Sequence, residues 1–412
     1  MTTTTQDRTT LRELAGRVAE IAALPVQQET VAFWKASNAL KPLRPMVAID
    51  QVCWHEMNVE DELTLRCEDA FCRGLEGGLR RTLYCWRHMR ADMVVEPVVE
   101  VYKAIRNTGF GLGVLEERVV TDPRNDVVSH HYIDQLQTEA DLGKIRVPEI
   151  SHDEAATAEA EEKAHAIFDG LLQVRMQGAF PVYAPLDMIV CWRGAEPLLY
   201  DMADRPEFMH RIIARLTEAQ ASMLDQLEEQ GLLGTHQQTI HCTGAYTDEL
   251  PAPGYNPAHP RARDLWTFGM SQIFSTVSPA MHEEFELPYL GPWFARFGLG
   301  YYGCCEPLDK KLAMVRKYPR VRKISQSPWV DVEYGASQIG RDFVFSRKPS
   351  PAFLAWDPWD PAAVERDLRE TLDACVRHGC PCELILKDIS TVRYQPRRLW
   401  EWSEIARRVV EG

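Results

Sequence analysis

The sequence predicts an α/β protein built as a closed TIM-type (β/α)8 barrel, and three observations lead to this fold class. Eight short apolar or β-branched runs alternate with helical stretches, as parallel strands alternate with their crossover helices. The runs are almost continuously apolar, which is typical of strands buried on both faces. No glycine-rich phosphate loop follows the first run, so a closed barrel is favoured over an open doubly wound sheet.

The predicted domain organisation is a helical extension over residues 1–45 followed by a single barrel domain over residues 46–412. In the extension, apolar residues such as Leu14 and Val18 recur at helical spacing. A run with two prolines then ends the helical pattern. The first barrel strand is therefore expected to begin at Met46.

Eight segments are predicted to form the barrel strands, because each is short and apolar. They are residues 46–49, 93–101, 180–186, 239–243, 299–303, 321–324, 343–345 and 383–386. Two long excursions, residues 109–150 and 248–260, interrupt the alternation. Loops of that length in compact domains usually carry function, so both are expected to lie over the barrel mouth.

The charge balance of the chain argues against a nucleic-acid partner. Its 412 residues include 46 lysines and arginines against 60 aspartates and glutamates, a formal net charge of -14. That sign opposes binding to phosphate backbones, and no basic run with interleaved aromatic residues occurs. The hydrophobic content of 45% is ample for a large buried core.

No segment of the sequence predicts a secretory or membrane protein. The first residues contain no unbroken apolar stretch, and no later segment approaches the roughly 20 apolar residues of a membrane helix. We therefore expect a cytoplasmic protein. The 11 cysteines are odd in number, spread over a long chain and without a CxxC pair. Such cysteines are typical of core thiols, ligands or nucleophiles rather than of disulfides.

In a (β/α)8 barrel the active site forms where the strands end, so polar residues near these ends are the candidates. The predicted substrate-binding residues are His55, Glu96, Arg347, Lys348 and Lys387. Arg347 and Lys348 would neutralise an acidic substrate, or they would only line the rim. Alternatively, His55 lies at the N-terminus of the next helix, and Lys387 forms a solvated ion pair.

The run Cys304-Cys305-Glu306, at the end of the fifth predicted strand, is the most informative. Adjacent residues of an extended chain point to opposite sides, so the two cysteines cannot both face the barrel axis in a regular strand. A thiolate here, with His241 and a carboxylate such as Glu306 or Asp388, would form a soft donor set suited to zinc. The alternative is that both cysteines are small core residues before a turn.

His241 lies in the fourth predicted strand, residues 239–243. It is either a metal ligand or general base at the strand end, or a histidine bonded to a backbone carbonyl. The predicted catalytic residues are Glu306 and His241, either of which could handle a proton. The predicted metal ligands are Cys304, Cys305, His241 and Asp388.

The sequence resembles the second half of the uroporphyrinogen decarboxylase superfamily. The matching segments are Tyr301-Tyr302-Gly303-Cys304-Cys305-Glu306, Lys323-Ile324-Ser325 and Pro351-Ala352-Phe353-Leu354. In that superfamily the same half reads strand, His-x-Cys-Gly, helix, strand and a Gly-Asn-x-Asp-Pro turn. The resemblance extends from Arg44 through the C-terminus, and it implies a (β/α)8 barrel.

The resemblance is closer to the methyltransferase branch of that superfamily than to the porphyrinogen decarboxylases. Residues 44–56 do not reproduce the arginine-rich signature with which the decarboxylases hold porphyrinogen carboxylates. The methyltransferase branch implies zinc and a separate corrinoid protein that exchanges the methyl group. The zinc histidine of the branch falls here on Tyr302 or Gly303, and its late cysteine falls near Lys387 and Asp388. A zinc site in this chain would therefore use a different set of residues.

Together these features predict a zinc-dependent, methyltransferase-like enzyme that acts on a small substrate, with a corrinoid partner protein implied by the resemblance. A metal-independent decarboxylase or lyase that holds a carboxylated substrate is the alternative. A third hypothesis is a barrel that binds a ligand or partner and has no catalytic activity. A homodimer would be supported by exposed aromatic residues such as Trp400 and Trp402, or by the N-terminal helix.

Overall fold

The computed structural model of the protein describes residues 3–120 and 128–412, so residues 121–127 of the predicted 109–150 excursion lie outside the described residues. The strands are β1 (Met46–Ile49), β2 (Val98–Tyr102), β3 (Ile105–Asn107), β4 (Glu116–Val119), β5 (Ser129–Tyr132), β6 (Ile150–His152), β7 (Gln173–Gln177), β8 (Thr239–Ile240), β9 (Thr243–Gly244), β10 (Trp266–Gly269), β11 (Leu299–Tyr302), β12 (Val321–Gln326), β13 (Val344–Arg347) and β14 (Cys382–Leu386).

Helices cover much of the remaining chain. They are α1 (Thr5–Ala22), α2 (Val26–Asn38), α3 (Ala70–His88), α4 (Glu154–Phe168), α5 (Pro185–Arg193), α6 (Ala195–Asp204), α7 (Pro206–Glu229), α8 (Pro279–Arg296), α9 (Leu312–Val315), α10 (Val332–Ile339), α11 (Ala352–Ala355), α12 (Pro361–His378) and α13 (Arg397–Glu411). In the described part of the chain, no helix combines the length and apolar character needed to cross a bilayer.

The centre of the fold is a parallel sheet of six strands in the order β1-β14-β13-β12-β11-β10. Strands β10 to β14 follow one another along the chain, and β1 joins the edge at β14, where Met46 lies opposite Glu383. Because the strands are parallel, their carboxyl ends meet at one edge of the sheet. The segments that follow β11, β13 and β14 therefore come together there.

Within residues 3–120 and 128–412, the strands do not pair into the predicted closed ring of eight. Instead, β2 and β7 form a separate parallel pair. Beside the six-stranded sheet, Tyr183 makes a single parallel bridge to Gly269, and the Asp92 N–H donates to the Val47 carbonyl. The α/β class and the parallel strands are as predicted, whereas the closed barrel is not seen as one sheet.

Two of the predicted strands are wrong. Residues 180–186 contain only the bridge at Tyr183 before Pro185 begins α5, and the strand in this region is the earlier β7. Residues 239–243 do not cross the sheet, because the chain turns back between β8 and β9 as an antiparallel hairpin. The second predicted strand is shifted along the chain to β2, and β10 was not predicted at all.

The N-terminal extension is helical, as the apolar spacing predicts. Thr4 caps α1 through its side chain, which accepts a hydrogen bond from the Asp7 N–H at 3.0 Å. The apolar face of α1 packs in one cluster with α3 and α4, where Leu11, Leu83 and Phe168 are buried. The extension is therefore anchored on α3 and α4.

The C-terminal helix α13 also packs on the core. Trp402 is completely buried, and Trp400 is only partly exposed. The prediction that these two residues are exposed aromatics was therefore wrong. The reason is the amphipathic pattern of α13, whose apolar residues share one face and pack against the main hydrophobic core.

Candidate functional site

Cys304 follows β11 at the carboxyl edge of the sheet. Gly303 directly follows the strand with a φ of 89°, and a Cβ atom at this position would come within 2.4 Å of Leu308 Cδ1. The Glu306 carboxylate accepts a hydrogen bond from the Cys304 N–H at 2.9 Å. This turn leaves Cys304 only 4% exposed.

The Cys304 sulfur lies among polar groups from two strand ends. The Nζ atom of Lys387, directly after β14, is 3.1 Å from the Cys304 Sγ atom. The Cys305 Sγ atom is 3.6 Å from the Cys304 Sγ atom and 3.4 Å from Asp388 Oδ2. Lys387 Nζ is also 3.1 Å from Asp388 Oδ2. Cys305 and Asp388 are partly exposed, so the cluster opens to solvent on their side.

These contacts stabilise the thiolate form of Cys304. A hydrogen bond from Cys305 lowers the pKa of Cys304, burial opposes the shift, and His241 and Lys387 lower the pKa further. The pKa of Cys305 is raised, because its thiol gives that hydrogen bond and is itself partly buried. Burial alone would lower the pKa of Lys387, but the negative charge of Cys304 raises it. These contacts therefore favour the thiolate form of Cys304 and the protonated form of Lys387.

Glu306 lies behind Cys304 and is completely buried. One of its oxygens accepts the Cys304 N–H, and the other accepts the Ser271 N–H at 3.2 Å. Burial raises the pKa of Glu306 to about 8, and the charge of Cys304 adds to the shift. Since both oxygens are bonded to the main chain, Glu306 holds the turn that carries the sulfur.

His241 reaches the site from the β8–β9 hairpin. Its ring stacks on Phe268 of β10 with centroids 3.9 Å apart, and its centroid is 4.9 Å from that of Tyr301 on β11. Burial lowers the pKa of His241 to about 4, although contact with Cys304 opposes the shift. The buried Nε2 atom has no hydrogen-bond partner among the residues that the structure describes. His241 is therefore a neutral imidazole close to the Cys304 sulfur.

A buried ion pair holds this hairpin inside the fold. Lys323 Nζ on β12 and Glu383 Oε2 on β14 are 2.8 Å apart, and both side chains are 0% exposed. The Thr243 hydroxyl donates to the same glutamate oxygen at 2.8 Å, and Lys323 Nζ donates to the Gly244 carbonyl at 3.0 Å. Sequence reasoning missed this pair. The available signal was one basic and one acidic residue within otherwise apolar strands, where a charge needs a partner.

Lys348 lies directly after β13 and is 3% exposed. Its ammonium donates to the Tyr301 hydroxyl and, at 3.1 Å, to the Ser346 hydroxyl. Its Nζ atom is 4.9 Å from the centroid of the Tyr301 ring. Burial lowers the pKa of Lys348 to about 8, and Glu383 opposes the shift. Lys348 therefore lies in the interior, between the buried ion pair and the Cys304 cluster.

Arg347, the neighbour of Lys348, does not join the cluster. Because side chains alternate along β13, Arg347 points to the opposite face. Its guanidinium donates to the Ser327 carbonyl and lies 3.5 Å from Asp367 Oδ1 on α12. These contacts place Arg347 under a helix rather than beside the sulfur.

Two further predicted substrate-binding residues have partners of their own. His55 Nε2 lies 3.6 Å from Glu56 Oε1, just after β1. Glu96 lies 2.9 Å from His236 Nε2 and 3.2 Å from Arg175 Nη1. Neither residue contacts the Cys304 cluster in the hydrogen bonds and ion pairs of residues 3–120 and 128–412.

The four predicted zinc donors fit a metal poorly as they are arranged. Cys304, Cys305, His241 and Asp388 lie near one another. Even so, within the described ranges no three Cys, His, Asp or Glu side chains form a group that could hold a metal ion. The ammonium of Lys387 already contacts the Cys304 sulfur, where it would repel a dication. The four side chains therefore do not fit zinc as long as Lys387 contacts the Cys304 sulfur.

A cavity of about 400 Å³ lies beside the hairpin. Its wall includes Cys242 and Thr243 from the hairpin and Asp50 after β1. Burial raises the pKa of Cys242 to about 12 and Asp50 adds to the shift, while Lys387 and Lys348 oppose it. Cys242 therefore borders the cavity. The volume is within the range of small-molecule sites.

Comparison with known proteins leaves the family open. The sequence matches no protein-family model. It also matches no curated protein. Among solved structures, a methyltransferase from Methanosarcina mazei shares 10% sequence identity with the chain, over 90% of this chain and 96% of that one, with a TM-score of 0.47.

Proposed function

We propose that this protein is an enzyme whose nucleophile is the Cys304 thiolate, and that Lys387 rather than a metal ion stabilises its negative charge. The observation that carries the proposal is the 3.1 Å contact between Lys387 Nζ and Cys304 Sγ, two side chains that are both buried. The thiolate is the reactive form of cysteine, and neighbouring cations increase its population at neutral pH. The arrangement therefore suits covalent catalysis.

The reaction class that we assign is addition to an electrophilic carbon of a small substrate, followed by elimination. The sulfur lone pair forms the S–C bond, and the displaced π electrons move to a substrate atom that takes a proton from Lys387. A carboxylate carried by that atom then leaves as CO2, its bonding electrons re-form the π bond as the S–C bond breaks, and the thiolate is returned while the proton stays on the product. His241 has an unpartnered nitrogen among the described residues, and we assign to it the transfer of a proton from water that restores the Lys387 ammonium. This corresponds to the metal-independent lyase alternative.

Alkylation of the native protein with iodoacetamide tests the proposal. Near neutral pH we expect Cys304 to react at least about tenfold faster than the buried cysteines elsewhere, because its pKa is lowered whereas burial raises theirs. Peptide mapping by mass spectrometry identifies the modified residue, and Cys304→Ser is the control. If Cys304 reacts no faster than Cys67 and Cys375, the proposed nucleophile is wrong.

A second proposal is zinc-dependent methyl transfer between a small substrate and a separate corrinoid protein. It is favoured by one observation, the proximity of the four predicted donors. It requires Lys387 to leave the Cys304 sulfur. Elemental analysis of protein dialysed against zinc separates the two proposals. One zinc per chain that is lost on changing both Cys304 and Cys305 to Ser would favour methyl transfer, and an absence of zinc would overturn it.

A further inference from the structure

The cavity of about 400 Å³ beside the β8–β9 hairpin carries charged side chains of both signs in its wall. They are Asp50, Arg81, Arg90 and Asp92. The guanidinium of Arg44 lies 2.9 Å from Asp92 Oδ2 and neutralises Asp92. The other three charged groups form no ion pair with any residue that the structure describes. The wall therefore holds two positive groups and one negative group that a ligand could pair.

The two arginines are held by aromatic rings and not by carboxylates. The Cζ atom of Arg81 lies 5.1 Å from the centroid of the Trp54 ring, and that of Arg90 lies 4.9 Å from the centroid of the Trp86 ring. A guanidinium that is stacked on a ring keeps its N–H groups free along its edge. These N–H groups form the fork that binds both oxygens of a carboxylate. The arginines are therefore prepared for a carboxylate ligand.

Asp50 supplies the opposite charge at the end of β1. Its carboxylate accepts the Gln51 N–H at 2.7 Å and lies beside the Cys242 thiol, and neither of these groups is positively charged. Lys387, at the end of the neighbouring strand β14, contacts Cys304 instead and is not part of the cavity wall. The Asp50 carboxylate therefore suits an ammonium group of the ligand.

The rest of the wall includes a large apolar part. Its apolar side chains are Trp34, Ile49, Met89, Met93 and Val94. Small-molecule sites typically combine such an apolar lining with a few polar groups that fix the orientation of the ligand. The ligand that matches this wall carries one negative group, one positive group and an apolar body.

The cavity is separate from the Cys304 cluster. Neither Cys304 nor Lys387 lies in its wall. The β8–β9 hairpin separates the two places, because Cys242 lines the cavity while the His241 ring stacks on Phe268. A ligand in the cavity would therefore be held by its own set of residues.

We propose that this cavity is a second ligand site, which binds an amino acid with an apolar side chain. The carboxylate of the amino acid pairs with Arg81 and Arg90, and its ammonium pairs with Asp50. Its side chain packs against Trp34 and Met93. Such a ligand has no net charge, so the formal net charge of -14 on the chain does not repel it. The proposal goes beyond the proposed function of Cys304 and does not depend on it.

Isothermal titration calorimetry of the full chain with leucine and with phenylalanine tests the proposal. We expect at least one of them to bind with a dissociation constant below about 1 mM. Isopentylamine and phenethylamine are the same molecules without the carboxylate, and isocaproate and hydrocinnamate are the same molecules without the amine. Each should bind at least about tenfold more weakly than its parent amino acid, because one charged contact is lost.

Substitutions in the wall assign the two charged contacts. Asp50→Asn keeps the side-chain oxygen that accepts the Gln51 N–H, and it should weaken binding of the amino acid at least about tenfold without weakening binding of the matching acid. Arg81→Gln and Arg90→Gln should each weaken binding of the amino acid at least about fivefold and change binding of the matching amine little.

Asp373→Asn and Arg366→Gln make the same charge changes at exposed positions of α12 and should bind like wild type. Circular dichroism checks that each variant is folded. The series of amines and acids uses the wild-type protein, so it tests the proposal even if a variant does not fold.

Three results would overturn the proposal. They are no binding of either amino acid up to about 10 mM, equal affinity for an amino acid and its matching acid or amine, and unchanged affinity in folded Asp50→Asn or in both folded arginine variants. Cys304→Ser should bind the amino acid like wild type. Failure of the proposed nucleophile would therefore leave this site in place, and failure of this site would leave the nucleophile in place.

Discussion

The ammonium of Lys387 and the sulfur of Cys304 lie 3.1 Å apart, and each shifts the pKa of the other toward the charged form. Lys387→Met should therefore raise the pKa of Cys304. We expect the rate at which iodoacetamide alkylates Cys304 to fall at least about tenfold near neutral pH. Each pKa unit above the working pH lowers the thiolate population about tenfold. The rate of the variant should rise with pH over the range where the wild-type rate is constant.

Lys387→Arg is the matched control, since it keeps the positive charge at the same position. It should retain most of the wild-type rate near neutral pH. A Lys387→Met variant that reacts at the wild-type rate would show that the Cys305 hydrogen bond alone maintains the thiolate.

Glu306 should make the stability of the protein depend on pH. Its pKa is about 8 in the folded protein, against about 4.3 in an unfolded chain. Between these values the folded state holds a proton that the unfolded state has released, so this contribution is complete below the unfolded pKa and is lost as pH rises through the folded one. For this group the free energy of unfolding falls by about 1.4 kcal/mol per pH unit.

Glu306→Gln removes that titration. From about pH 5 to about pH 7.5, its free energy of unfolding should fall less steeply than that of wild type, by about 1.4 kcal/mol per pH unit. Urea unfolding at several pH values measures the difference. Glu161→Gln, at an exposed position of α4, should leave the slope unchanged. Equal slopes for wild type and Glu306→Gln would mean that Glu306 is ionised in the folded protein.

Cys304 and Cys305 should form a reversible disulfide with hydrogen peroxide. Their sulfurs are 3.6 Å apart, and peroxide converts a thiolate to a sulfenic acid that a neighbouring thiol displaces, with loss of water. Adjacent Cα atoms are about 3.8 Å apart, below the usual disulfide range, so the bond should be strained and easily reduced. Intact mass spectrometry should show a loss of about 2 Da that dithiothreitol reverses.

The Cys305→Ser variant should instead accumulate a sulfenic acid that dimedone traps at Cys304. Cys375→Ser, which changes a buried cysteine of α12, should oxidise like wild type. If peroxide modifies Cys242 or another cysteine before Cys304, the thiolate assignment has to be revised.

Gly244→Ala should disturb the hairpin that carries His241. A Cβ atom at position 244 would lie 2.5 Å from a Trp34 ring atom, closer than packed atoms approach. We expect a loss of about 1–3 kcal/mol in the free energy of unfolding, as for other overpacked core positions. Gly16→Ala is the control, because nothing lies within 4 Å of its Cβ position in α1. That control should be neutral or stabilising by about 0.5–1 kcal/mol.

The position of the site could be predicted from the sequence, because parallel strands bring their carboxyl ends together. Cys304 and Lys387 each follow a strand, and their side chains are in contact. The orientation of the Arg347 side chain could also be predicted, because side chains alternate along β13 and Arg347 therefore points to the face opposite Lys348. The charged pair Lys323 and Glu383 was visible as two isolated charges, but their pairing across β12 and β14 required the strand order.

The hairpin could not be predicted from local pattern. Residues 239–243 read as one β-branched strand, and the turn contains none of the Gly, Asn or Asp residues that usually mark a tight hairpin. His241 and Cys242 nevertheless have positive φ values of 40° and 69°. Tertiary contacts hold them in this conformation, because Thr243 bonds to Glu383 and His241 stacks on Phe268.

The anchoring of the β8–β9 hairpin has a consequence for how the protein is made. Thr243 bonds to Glu383, which lies 140 residues further along the chain, and Lys323 on β12 completes the attachment. During synthesis the hairpin therefore waits for β14, the last strand that the structure describes, before it can dock, and contacts of such long sequence separation form late and slowly. His241 can reach its place beside Cys304 only after β14 has left the ribosome. A nascent or C-terminally truncated chain thus lacks the completed site, and no reactive centre operates before the whole protein is assembled.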